Sequence, residues 1–124
     1  SLMAVFLQDI RQGDIYVTKL NFGTTNNITG YQFWLTIKED FDLPDSQAVL
    51  NFHTTAGDYV GDDPTHGVAY LVIPPETTKL CTPGTYYYDL QVKTPQGTII
   101  TIVPTVDRYK DKIVIAPEVT QGTV

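Results

Sequence analysis

Apolar and polar residues alternate with a period of two along most of this chain, and the alternation is strictest across residues 85–93. Tyr86, Tyr88, Leu90 and Val92 fall on one side, and Tyr87, Asp89, Gln91 and Lys93 on the other. That is the pattern of a half-buried β-strand. Pro83-Gly84 supplies a tight turn into it. Leu80, the Pro-Gly turn and a Tyr opening a strand also echo the tyrosine corner of Greek-key sandwiches.

The same periodicity predicts strands over residues 14–20, 31–38, 47–54, 68–73, 98–103 and 112–116, with residues 3–10 as a first strand or an arm. Residues 47–54 also admit a short helix. In the second of these strands Tyr31, Phe33, Leu35 and Ile37 form the apolar side, opposite Gln32, Trp34, Thr36 and Lys38. Over 14–20 both sides carry apolar groups, Ile15 and Val17 against Tyr16 and Leu20, so alternation leaves the buried face open. Gly13-Asp14, Gly23 to Asn27, Glu39 to Pro44, residues 55–67 and Thr94-Pro-Gln-Gly97 read as turns and loops. Pro74-Pro75 stops one strand, and Glu76 to Leu80 predicts a single helical turn crossing between sheets. Seven to eight short strands with Gly/Pro turns and no helical stripe argue an all-β sandwich, with a small closed barrel as the alternative.

With 124 residues the chain fits one domain, taken as residues 3–124, and Ser1-Leu2 reads as a cloning remnant before Met3. A hydrophobic content of 42% supplies a core without disulfides. Cys81 is the sole cysteine, which excludes an internal bridge and is compatible with a reducing cytoplasm. Fourteen acidic against eight basic residues give a net charge of −6, the wrong balance for gripping phosphates, so no nucleic-acid partner is expected. The densest basic stretch, Arg108 to Lys112, is diluted by Asp107 and Asp111. No apolar run approaches the roughly 18 residues that argue a membrane span, so no membrane insertion is expected.

Candidate chemistry is sparse. His53 and His66 flank Asp58, Asp62 and Asp63, a carboxylate-rich loop of the kind that binds a hard cation. It lacks the ordered spacing of an EF-hand loop, and solvated acids are the commoner reading. Asp40, Asp42 and Asp45 form a second acidic cluster, but nothing sets the separation that a carboxylate pair needs for glycoside hydrolysis. Cys81 has no His nearby in sequence to activate it. No catalytic residue, metal or cofactor is therefore assigned. Trp34 stands out as an aromatic on the polar side of its strand, beside Gln32 and Thr36, and Tyr87 has the same status on its own. Together Trp34, Tyr87, Gln32 and Thr36 form the candidate interaction surface. They would contact a protein or stack on sugar, or be covered within the fold.

The order of features carries a resemblance. Ile10-Arg-Gln-Gly-Asp14 precedes an alternating strand. Asn27-Ile-Thr-Gly30, Phe33-Trp-Leu-Thr-Ile-Lys38, Pro44-Asp45 and Gln47-Ala-Val-Leu50 follow. Then come Ile73-Pro-Pro-Glu-Thr77, Thr82-Pro-Gly-Thr-Tyr-Tyr-Tyr-Asp-Leu-Gln-Val92, a Pro-x-Gly turn and Ala116-Pro-Glu-Val-Thr120. This series, over residues 8–121, resembles phage and prophage tail-associated structural proteins. In particular it is similar to the immunoglobulin-like N-terminal domain of phage baseplate upper proteins. The resemblance implies an immunoglobulin-like antiparallel β-sandwich without catalytic residues. It also implies a place in the tail region of a virion after synthesis in the bacterial host cytoplasm, and other virion proteins or further copies of the chain as partners. A carbohydrate-binding sandwich module, with glycan as partner, is the alternative expectation.

Overall fold

The structure, a computed structural model, describes residues 7–104 and 111–120. Its strands are β1 (Ile10–Arg11), β2 (Tyr16–Asn21), β3 (Gln32–Lys38), β4 (Leu50–Thr55), β5 (Val68–Ile73), β6 (Gly84–Lys93), β7 (Ile99–Val103) and β8 (Asp111–Ala116). One short helix, α1 (Pro75–Lys79), joins β5 to β6. The larger sheet runs β1-β8-β6-β3-β4, and β7 also pairs with β6; β2 and β5 form the second sheet. β8 and β7 share one edge of β6, β8 along Gly84 to Tyr88 and β7 along Leu90 to Lys93. In immunoglobulin letters β2 and β5 are B and E, β3 and β6 are C and F, β7 with β8 is G, and β4 is C′. The fold is thus an immunoglobulin-like all-β sandwich rather than a closed barrel. One pair departs from the antiparallel expectation: β1 runs parallel to β8.

Two boundaries differ from the periodicity by three residues or more. The strand expected from residue 47 begins at Leu50, because Asp45–Gln47 turns as a 3-10 helix after Pro44. Of the arm or strand expected over residues 3–10, residues 3–6 lie outside the described residues, and among residues 7–10 only Ile10 is paired.

The core lies between the sheets. Phe33, Leu35 and Ile37 from β3 and Leu90 and Val92 from β6 meet Leu20, Ala69, Leu71 and Ile73 from the smaller sheet, all essentially inaccessible. Phe22 and Phe33 stack across the gap with ring centroids 5.9 Å apart. Burying a side chain of this size contributes roughly 1.5–3 kcal/mol. On β2 the buried side is Tyr16 and Leu20, which turns Ile15 and Val17 outward.

The inward tyrosines are core residues whose polar tips pin the chain. Tyr86 Oη donates to the Thr82 carbonyl at 2.6 Å, closing the tyrosine corner. Its ring lies over Gly84, where an added Cβ would stand 3.2 Å from the ring atoms. Tyr16 Oη donates to the Gln8 carbonyl at 2.8 Å, and burial pushes its phenol well above the usual value. Tyr88 Oη accepts from the Leu7 amide at 3.3 Å. Helix α1, opened by Pro75, buries Thr78, whose hydroxyl donates to the Asp14 carbonyl at 2.6 Å and anchors the crossover to the entrance of β2. At the opposite end Gly67 has φ +75°, and a Cβ there would stand 2.2 Å from the Gly23 carbonyl oxygen. Only glycine allows this approach, which lets the Phe22 amide reach the Gly67 carbonyl at 2.8 Å.

Candidate functional site

Strand register decides which polar side chains meet on the outer face of the larger sheet. Reading across β4, β3 and β6, the outward rows are Asn51–Thr36–Asp89, His53–Trp34–Gln91 and Thr55–Gln32–Lys93. Trp34, Gln32 and Thr36 therefore lie on one face, as their alternation predicts. Tyr87 shares that face but pairs with Lys38, four residues along β6 from Gln91, or about 13 Å at the strand rise. The structure brings the four onto one surface without placing Tyr87 beside Trp34.

The face is a shallow trough. One recess of about 320 Å³ is bordered by Trp34, Asn51, Gln91, Lys93 and Ile99; a smaller one, about 100 Å³, by Phe41, Tyr87 and Asp89. They meet at Thr36, which is 9% exposed and forms the floor of both. His53 packs against the Trp34 indole with centroids 4.6 Å apart, and its Nε2 lies 3.1 Å from Gln32 Oε1. At the other end the Tyr87 ring meets the edge of Phe41 at 6.1 Å and carries the Lys112 ammonium 5.3 Å from its centroid.

Asp89 is the one strained group in the trough. Half-burial pushes its carboxyl above the usual value; Lys38 opposes the shift and Asp45 adds to it. Lys38 is committed elsewhere, donating to the Leu43 carbonyl at 2.6 Å and pairing with Asp45 Oδ1 at 2.8 Å. Among the described residues the Asp89 carboxylate makes no hydrogen bond or ion pair, and its oxygens are not sealed from solvent. Its neighbours are loosely tied. Thr36 Oγ1 to Asn51 Oδ1 and Gln91 Nε2 to Thr101 Oγ1 both measure 3.4 Å, at the long end for hydrogen bonds. Asp89, Asn51, Gln91 and Lys93 carry no motif, and only cross-strand register brings them together.

A second surface lies on the opposite layer. β2 and β5 pair only with each other among the described residues. Their outer face carries Ile15, 57% exposed, and Val17, 44% exposed, with Val17 opposite Val72 and Lys19 opposite Tyr70. Tyr59 packs edge-on against Tyr70 at 5.4 Å and extends the apolar patch. The two free edges differ. On β5, Val68 exchanges both backbone bonds with Asp63, and the Tyr70 amide donates to Asp62 Oδ1 at 2.9 Å. Among the described residues no such bonds cover Val17 or Lys19 on β2.

The other sequence candidates resolve into structural roles. Asp62 Oδ2 also accepts from the Gly57 amide at 2.8 Å, Asp58 Oδ2 accepts from the Thr55 amide at 3.1 Å, and Asp63 pairs with His66 at 3.0 Å. The acids of this loop act as staples, and no group of three metal-ligating side chains occurs among the described residues. Of Asp40, Asp42 and Asp45, the last neutralises Lys38, and Asp40 Oδ1 accepts from the Asp42 amide at 3.3 Å. Cys81 is buried against the Thr77 and Val49 carbonyls, and burial raises its thiol, the opposite of an activated nucleophile. No helix among the described residues is long and apolar enough to cross a membrane. Compared with known proteins, the chain matches no family model, no curated protein and no solved structure.

Proposed function

We propose that this domain is a non-enzymatic structural protein of a phage or prophage, associated with the tail or baseplate, that works by assembly. The ordered series of turn and strand motifs over residues 8–121, which includes the corner around Tyr86, supports the tail assignment through its resemblance to baseplate upper proteins. The observation that carries the assembly role is the β2 edge, unpaired among the described residues, beside exposed Ile15 and Val17. A two-stranded layer is marginal alone, and an uncovered edge is a template for another strand. The partner strand proposed is β2 of a second copy. Paired antiparallel about a two-fold axis, β2 keeps Val17 and Lys19 on one face, continued by Ile15 just before the strand, and builds a four-stranded layer β5-β2-β2-β5. Lys19 is the only charge those strands carry, so no carboxylate of β2 or β5 meets its copy across the contact.

The tail assignment is tested by immunogold labelling of phage particles from the source host with an antibody to this domain. Gold at the tail end is expected. Unlabelled particles, with the protein confined to the soluble fraction, would contradict the assignment.

A further inference from the structure

The trough on the larger sheet has a different chemistry from the apolar patch on the smaller one. The geometry points to a carbohydrate site there, for a neutral oligosaccharide lying along β3 and β6. It goes beyond the assembly role, and because it occupies the opposite layer either can fail without the other.

Three observations carry it. First, Trp34 and Tyr87 set aromatic rings near the two ends of a run from Lys93 to Tyr87, about 20 Å at the strand rise, which suits a chain of sugar rings rather than one. Aromatic rings offer the weakly polar C–H faces of sugars a large, rigid contact area. Second, Asp89 lies partly buried near the middle of that run, and its carboxylate oxygens make no hydrogen bond among the described residues while remaining open to the trough. A carboxylate in this state gains from hydroxyl donors, which a sugar supplies in plenty and an apolar peptide does not. Third, Gln91 and Asn51 supply amide donors and acceptors held only by long contacts, and Lys93 adds a cation. With Lys38 neutralised by Asp45, Asp89 set against Lys93 at one end and Lys112 at the other leaves the trough at most one net positive charge, close to balance. That balance, on a chain of net charge −6, selects a neutral glycan over an acidic one.

The test is 1H–15N correlation NMR on the chain, titrated separately with maltotetraose, cellotetraose, mannotetraose and chitotetraose. At least one is expected to shift resonances of Thr36, Trp34, Asp89 and Gln91 with a Kd on the order of 1 mM or tighter. Trp34→Ala and Asp89→Asn are each expected to weaken that binding at least ~10-fold, in samples whose spectra remain dispersed. Gln91→Ala, a milder change, should weaken it about 3-fold. No shift in the trough with any of the four sugars would overturn the site, as would shifts confined to β2 and β5. Binding unchanged in both Trp34→Ala and Asp89→Asn would do the same.

Discussion

Replacing Tyr86 by Phe removes one oxygen from the tyrosine corner and nothing else. The ring is 7% exposed and lies over Gly84, so Phe keeps the packing and loses only the 2.6 Å bond to the Thr82 carbonyl. A typical intramolecular hydrogen bond contributes a net 0.5–1.5 kcal/mol, and an acceptor left buried without a partner costs about 1–3 kcal/mol. Thr82 is exposed, so water can replace the lost donor and the smaller range applies. The expected loss is about 1 kcal/mol, or roughly 3–6 °C in Tm for a domain of this size. Urea unfolding followed by circular dichroism measures it. The midpoint should fall while the m-value stays unchanged, because neither the folded contacts nor the surface exposed on unfolding alter appreciably. A loss below ~0.3 kcal/mol would mean that the corner bond contributes nothing. A loss above ~3 kcal/mol would mean that the ring had moved, and either result refutes the account of the corner given above.

Other positions test other parts of the structure. Asp62→Ala removes the carboxylate that holds the Gly57 and Tyr70 amides; a loss of about 1–3 kcal/mol is expected, with faster hydrogen exchange at those two amides. Gly67→Ala forces a side chain into a left-handed backbone and against the Gly23 carbonyl, and urea unfolding should show a cost of roughly 1–3 kcal/mol or more. Asp89 works in the opposite direction. Its folded-state value lies above the ordinary 3.8, so the folded protein holds the proton more tightly than the unfolded chain does. Stability at this group is greatest when it is protonated and falls as pH rises through the raised value. Asp89→Asn should therefore stabilise the protein at pH 7, with the gain shrinking on acidification and gone below the ordinary value. Equal stability of the two proteins at neutral pH would contradict the strain assigned to this carboxyl.

Much of this architecture was legible from periodicity, and the exceptions have physical causes. β6 combines a turn signal with unbroken alternation over residues 85–93, and the chain supports that pattern with a strand on each side. α1 is announced by Pro74-Pro75, which ends the preceding strand and suits a helix start. β1 has two residues, too few to carry a period, and pairs with a strand about a hundred positions away. Periodicity could not orient β2 because both its sides are apolar, and that ambiguity was itself informative. The side not taken by the core, Ile15 and Val17, is the exposed patch of the smaller sheet. Trp34, Gln32, Thr36 and Tyr87 were visible as polar-side positions of their strands and as a candidate surface. Asp89 and Gln91 were equally visible as polar-side positions, but neither they nor Asn51 were marked as part of a site, because a polar residue in an alternating strand becomes part of a site only when register sets it beside others. The acids at 58, 62 and 63 suggested a cation loop, whereas each has a backbone amide or His66 as its partner.

The assembly role rests most directly on β2. Sedimentation equilibrium over a range of protein concentrations, on the unaltered chain and on Val17→Lys, measures it. Val17 is 44% exposed, so the lysine adds a charge to the edge without entering the core, and circular dichroism confirms that the variant folds. The account predicts a monomer–dimer equilibrium for the unaltered chain that shifts at least ~10-fold toward monomer in the variant. A chain that is strictly monomeric at every concentration, or a dimer that Val17→Lys leaves intact, would contradict it.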